Sequence, residues 1–588
     1  MRSLLVSALV SALSLTLATT TFAADYCAAI RGNGENVAAH WSALSRMVEE
    51  KGMPEKMAGG SSATVSMFFL DSIASNPAIQ GEKNGDLKRK KEGLLVKSLG
   101  EFITEMARNE QAMSAYQFMA ELAKKDSSVA VKLKQLLASK DNVSTDELNA
   151  AVQKYFPLLN PDMVRGLLKN PRFFAGEAKK AVEVFGKFDA VGDQNLFFRP
   201  GLVDFKEFAV NLGHIADFYQ GNTDEGTKRE LEAYMNACAE KTYQKEWSES
   251  DDGCKRQFQG IVAKYMRAGQ FQNKALFEPI GKNIESIPTT ALIKGAAVKR
   301  YSDEKKAYAQ GDSRDYSKFS VDFDKELKFG YWTNKGDQIK KGLAPLVQKG
   351  DLKSEKFEAL KPNNWFEVLA TSPAEPGLAS VQPIPVNTTR EKVLAERERS
   401  VVERWSGLEY SKDTLSAGGW SDLHPAPVLK AAGCQRVAYF SRKDGETIFG
   451  QQVFIRLTGA QQEVPFWQKI GEQNNTGWHV KGVTESSPWN RLYNLGNADS
   501  SFNRSLRAVN ISYCTDWNRY NPFKGEMPAM QKEAYSAPVF VAAGTDKSFQ
   551  VNKGAAPDAS KFPGCLPVKV AGGGSADTGG GLGVGTAE

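Results

Sequence analysis

Apolar positions recur at helical spacing near the start of the chain. Val37, Trp41, Leu44, Met47 and Val48 fall on one face of a predicted helix over residues 37–50. Gly52 and Pro54 stop it. Ahead of it, residues 26–30 form a short apolar run that reads as a strand, and Arg31-Gly32-Asn33-Gly34-Glu35 is a glycine-bearing turn. After it, a short apolar approach leads into Ala58-Gly59-Gly60-Ser61-Ser62-Ala63-Thr64. The next residues, Val65-Ser66-Met67-Phe68-Phe69-Leu70, read as a buried helix. Strand, helix, strand, tight turn and helix is the order of an α/β unit built on a parallel sheet.

The pattern changes at about residue 94 and holds to about residue 266. Long amphipathic runs dominate, such as Phe102, Met106, Met113, Phe118 and Leu122, and strand signals nearly vanish. Asn160-Pro161 and Arg199-Pro200-Gly201 mark turns within it. Strand-like runs return at residues 289–293, 327–332, 366–370, 436–440 and 452–457. The predicted organisation is a core segment at 24–92, a helical insertion at 93–280, and a second core segment with a C-terminal extension at 281–570. A Gly-rich tail at 571–588 is expected to be disordered.

Composition refines this picture. Hydrophobic residues make up 41% and charged residues 24% of 588, an ordinary globular balance. The formal charge of +6 is small for such a length and points away from a nucleic-acid partner. Arg2, an apolar run at residues 4–17, and Thr21-Phe22-Ala23 have the form of a secretory signal peptide over residues 1–23. The expected mature chain is exported, either periplasmic or secreted, and has no membrane-spanning segment. Its six cysteines (Cys27, Cys238, Cys254, Cys434, Cys514 and Cys565) then suit disulfides. Six cysteines allow 15 connectivities, among which the sequence does not choose; Cys238–Cys254 and Cys514–Cys565 are the pairs expected. With no C-x-x-C spacing and four histidines, a structural zinc site is not expected, and no cofactor is implied.

The chemistry concentrates at Ser61. A serine flanked by small residues between a strand and a helix is the sequence form of a nucleophile elbow, which lifts the hydroxyl clear of the sheet. Only Ala63, in place of a second glycine, departs from G-x-S-x-G. Far downstream, Gly418-Gly419 opens a turn, Pro425 starts a helix, Gly433 stops it, and a buried strand follows. An acid in such a turn can lie at the carboxyl edge of a parallel sheet. Asp422 is the nearest; Asp413 and Asp444 read as solvated loop carboxylates.

On these residues the chain resembles the patatin-like phospholipases. Residues 32–52 look like that family's oxyanion loop and first helix, and residues 59–63 like its elbow. The stretch from Gly418 to Phe440 looks like its Asp-Gly-Gly turn, helix start and next strand. Residues 370–377 resemble the small-residue segment that precedes that turn. The four regions keep the family's order. The resemblance implies a three-layer α/β core with a mainly parallel sheet, interrupted here by the helical insertion. It also implies a Ser–Asp dyad acting on a phospholipid or lysophospholipid ester at a lipid surface. Ser61 would be the nucleophile, Asp422 the base, and Gly32, Asn33 and Gly34 the oxyanion donors. Two departures accompany it: Ala417 stands where the family has its acid, and the first loop is poorer in glycine and lacks the family's arginine. Asp422 also reads as an N-cap for the Pro425 helix. His424 could instead complete a Ser61–His424–Asp arrangement, or be a capping or surface histidine. A catalytically inactive lipid- or protein-binding module on the same fold is the rival from a different class.

Overall fold

The computed structural model describes residues 26–32, 37–108, 205–243, 252–294, 327–344, 357–361, 364–374, 382–383, 389–397, 413–422, 424–442, 509–515, 527–542, 544–546 and 549. The expected signal peptide, the glycine-rich tail, the strand at 452–457, both insertion turns, Asp444 and Cys565 lie outside the described residues.

The chain opens with β1 (Cys27–Ile30), α1 (Val37–Lys51), β2 (Lys56–Gly60) and α2 (Ala63–Ala74). Helices α3 (Gly85–Arg108), α4 (Phe205–Gln220), α5 (Glu225–Tyr243) and α6 (Asp252–Ala268) follow. Then come β3 (Glu285–Ile293), β4 (Leu327–Trp332), α7 (Gly336–Leu343), β5 (Phe357–Leu360) and α8 (Trp365–Thr371). The run at 366–370, expected as a strand, is therefore helical. The Asn364 side chain caps it by accepting from Glu367 N, and this local bond decides a short apolar run that periodicity leaves ambiguous. Next are β6 (Gln382–Pro383), β7 (Thr414–Ser416), α9 (Gly419–Asp422) and α10 (Ala426–Ala431). The last are β8 (Val437–Arg442), β9 (Ile511–Thr515), α11 (Met527–Tyr535) and β10 (Val539–Val541).

Among the described residues, the strands join one 10-stranded sheet whose main path is β10-β9-β8-β1-β2-β3-β4-β5, with β7 beside β3 and β6 beside β7. The contiguous strands β9, β8, β1, β2 and β3 are parallel. β4, β7 and β10 run antiparallel to their neighbours β3, β3 and β9. The architecture is thus mixed α/β around a largely parallel sheet. From β1 the chain steps to β2 on one side, while β8 arrives later on the other. The carboxyl ends of β1, β2 and β8 therefore flank a topological switch point, where open α/β sheets form crevices.

Strand alternation divides the two faces. Ile30, Met57 and Phe440 join a large core with Leu44 and Met47 of α1, Met67 and Phe68 of α2, and Leu95 and Phe102 of α3. Phe218 of α4 and Phe258 of α6 belong to the same core. Phe102, Phe218 and Phe258 meet edge to face, so these aromatic positions of the helical stretch serve packing. The opposite face carries Ala29, Ala58, Thr289, Tyr331 and Tyr439 in matched register. There the Cys27–Cys434 disulfide fastens the end of α10 to β1. Cys238–Cys254 joins α5 to α6 as expected. Cys514 is also disulfide-bonded. No described helix is long and apolar enough to cross a membrane.

Candidate active site

β2 ends at Gly60, and helix α2 begins only three residues later, at Ala63. To reverse direction in that distance, Ser61 takes φ of 55°, in the left-handed region that L-residues other than Asn and Asp seldom enter. The first turn of α2 closes back on this bend. Thr64 N donates to Ser61 O at 3.0 Å, Thr64 Oγ1 to the same oxygen at 2.6 Å, and Val65 N to Ser62 O at 3.1 Å. Ser61 is 6% exposed, and its Oγ has no hydrogen-bond partner among the described residues. A strained, non-glycine bend carrying a hydroxyl marks a place where structure has been held against local preference.

Small residues at the end of β2 let a second segment approach the elbow. A Cβ on Gly60 would lie 2.1 Å from Thr289 Oγ1 and 2.8 Å from the carbonyl carbon of Gly418. A Cβ on Gly418 would lie 2.2 Å from Thr289 O and 2.8 Å from Gly60 Cα. The Gly418-Gly419 turn is therefore seated against the elbow strand, although some 360 residues of chain (roughly, by position) separate them. Thr289, the register partner of Gly60 on β3, fastens this contact. Its Oγ1 lies 3.2 Å from both Gly418 O and Asp422 O. Ser372, directly after α8, closes the set. Its Oγ accepts from Ser61 N at 2.8 Å and donates to Thr289 O at 2.7 Å, while its carbonyl accepts from Gly418 N at 2.8 Å.

The structure thus brings Asp422 to the same sheet edge as Ser61, through backbone contacts that Gly60, Thr289 and Gly418 supply. Asp422 itself is 2% exposed, and its carboxylate is held in place. Tyr331 OH donates to Oδ2 at 2.9 Å, and His424 N approaches Oδ1 at 3.3 Å. Tyr331 is the register partner of Thr289 on β4, so Gly60, Thr289 and Tyr331 form one row across three strands. Asp422 does not cap α10, whose N-cap is Pro425 without a side-chain bond. His424 is a buried residue, 1% exposed, rather than a surface or capping one. Its Nδ1 pairs with Tyr439 OH on β8, which accounts for the ring by a neighbour other than Ser61. Asp413 pairs with Lys294 at 2.9 Å.

Of the expected oxyanion residues, Gly32 is buried just beyond β1, while Asn33 and Gly34 lie outside the described residues. Ile30 pairs with Gly59, so Gly32 stands as far past its strand partner as Ser61 does. Among the described residues no cluster of His, Cys, Asp and Glu could hold a metal ion. The residues that sequence reasoning passed over are Ser372, Thr289, Tyr331 and Tyr439. Each lay in a segment noted as a strand or a small-residue run, but only register discloses their convergence on the elbow. Comparisons of the chain with protein-family models, with curated proteins and with solved structures give no match.

Proposed function

We propose that the protein is an exported serine acyl-ester hydrolase with Ser61 as nucleophile, acting on a lipid ester. The observation that carries this reading is the left-handed Ser61 between β2 and α2, with its Oγ unpartnered among the described residues. A serine hydroxyl attacks an ester carbonyl when a base takes its proton and donors receive the oxyanion. The N-terminus of α2 presents the positive end of its peptide dipoles at the elbow. Gly32 adds backbone from the adjacent strand end. Asp422 is the acid that the fold carries to this edge, and it acts as base toward Ser61 and then as proton donor to the leaving alcohol. Tyr331 and His424 N hold the carboxylate from two sides. The lipid substrate class, and phospholipid in particular, rests on the resemblance to patatin-like enzymes.

Hydrolysis of a short p-nitrophenyl ester and of phospholipid vesicles tests this. The wild type should cleave both, and Ser61→Ala and Asp422→Asn should each abolish turnover. Retained turnover in folded Ser61→Ala contradicts the reading.

One observation favours a second reading, an inactive lipid- or protein-binding module. Both Asp422 oxygens already have partners, and Ala417 holds the place of the family's acid. If the wild type is inert toward esters and Ala417→Asp gains turnover, the binding module is the correct description.

A further inference from the structure

We infer that Ser372 is a positioning residue for the reaction at Ser61, an inference that rests on the reading of Ser61 as nucleophile. Ser372 is wholly buried and follows α8, where its own N–H returns to Val368 O at 2.8 Å. That helix end gives its hydroxyl a fixed origin. The hydroxyl then links two backbone groups from distant parts of the chain. It accepts Ser61 N–H at 2.8 Å and donates its own proton to Thr289 O at 2.7 Å. Each bond polarises the next in an N–H to O–H to carbonyl chain.

The link sits at the strained residue. Local preference would rotate Ser61 out of the left-handed region and swing Oγ with it. The bond to Ser372 opposes that rotation at the nucleophile's own nitrogen. It also commits the Ser61 N–H, so this group does not serve the oxyanion, and that task passes to other amides. The same residue reaches the acid-bearing turn, since Gly418 N donates to Ser372 O at 2.8 Å. Nucleophile and acid thereby share one reference point, with Thr289 joining both at 3.2 Å to Gly418 O and Asp422 O. No apolar side chain could make the first two bonds, and Gly418 leaves the hydroxyl its room, because a Cβ on Gly418 would come within 2.7 Å of Ser372 Oγ.

The test is the rate at which a fluorophosphonate labels Ser61 in the full mature chain, together with kcat and KM for p-nitrophenyl butyrate. Ser372→Ala should slow labelling and kcat by about 10- to 100-fold, the cost of a small misplacement of reacting groups. KM should stay within about twofold, because substrate binding is not removed. Ser372→Thr, which keeps the hydroxyl, should restore most of the rate. Trp365→Phe is the stability control. It removes the 3.1 Å bond from Trp365 Nε1 to Asp71 at the far part of α2 and should leave labelling unchanged. Unchanged labelling and kcat in Ser372→Ala overturn the positioning role while leaving Ser61 as nucleophile. A wild type that is folded yet never labelled at Ser61 overturns both. Should Ser372→Ala not fold, Ser372→Cys carries the same comparison, since its thiol has nearly the same shape but hydrogen-bonds weakly. Slowed labelling in that variant supports the role, and wild-type labelling refutes it.

Discussion

Replacing Ser61 by glycine and by alanine separates strain from chemistry. Ser61 holds φ of 55°. An L-residue pays about 1–2 kcal/mol to sit in that region, and glycine does not. Glycine in turn loses about 0.4–1 kcal/mol through the greater freedom of the unfolded chain. The Oγ makes no hydrogen bond to a described residue, so its removal subtracts nothing further from the fold. Ser61→Gly should therefore be more stable than Ser61→Ala by roughly 0.5–1 kcal/mol, the difference of those two effects. Alanine keeps the β-carbon and its strain, and should match the wild type. Both variants should lose ester hydrolysis. Thermal melts of the three proteins at one pH and concentration supply the comparison. The reasoning is refuted if Ser61→Gly melts at or below Ser61→Ala, for then the bend holds no strain worth relieving.

Three further outcomes follow from the same contacts. Gly60→Ala puts a Cβ 2.1 Å from Thr289 Oγ1 and 2.8 Å from the Gly418 backbone. It should cost about 1–3 kcal/mol in urea denaturation and abolish turnover, as overpacking at a backbone contact does. Burial pushes the Glu49 carboxyl up to about 7, against the favourable pull of Lys97, Tyr535 and Ser45. The folded chain then keeps a proton that the unfolded chain releases, so stability falls as pH rises from about 4.5 to about 7 and levels off above that. Glu49→Gln should remove about 2 kcal/mol of that decline between pH 5 and pH 7.5, measured by urea melts at those two values. Glu92, also pushed up to about 7 by burial, should keep a decline of similar size in place. Cys27→Ala with Cys434→Ala frees α10 from β1 and should cost about 2–5 kcal/mol. It should also depress hydrolysis, because residues 418–434 carry Asp422 and His424; activity equal to wild type would show that the clamp does not serve the site.

The N-terminal unit was legible because its signals are local. Val37 to Val48 carry a clean apolar stripe, and Gly52 ends the helix with φ of 85°. Small residues around Ser61 announce a bend that larger ones could not make. The Gly418 turn, the Pro425 start and the Gly433 stop are equally local, and all were read at the right places. What escaped was information that depends on register. Thr289 and Tyr331 look like ordinary strand residues until β3 sets them in a row with Gly60. Ser372 lies after a run of seven residues that forms a helix because Asn364 caps it, a bond that apolar periodicity does not encode. Of the disulfides, Cys238–Cys254 was legible and Cys27–Cys434 escaped for the same reason. Cys238 and Cys254 are near neighbours in sequence, whereas Cys27 and Cys434 are 407 residues apart and meet only once β1 and β8 lie side by side.

The covalent role proposed for Ser61 is tested most directly by treating the folded chain with a fluorophosphonate and mapping the modified peptide by mass spectrometry. The account predicts one phosphonyl adduct, on Ser61, that is absent after prior unfolding or in Ser61→Ala. An adduct on another residue, or none on a protein shown to be folded, contradicts it.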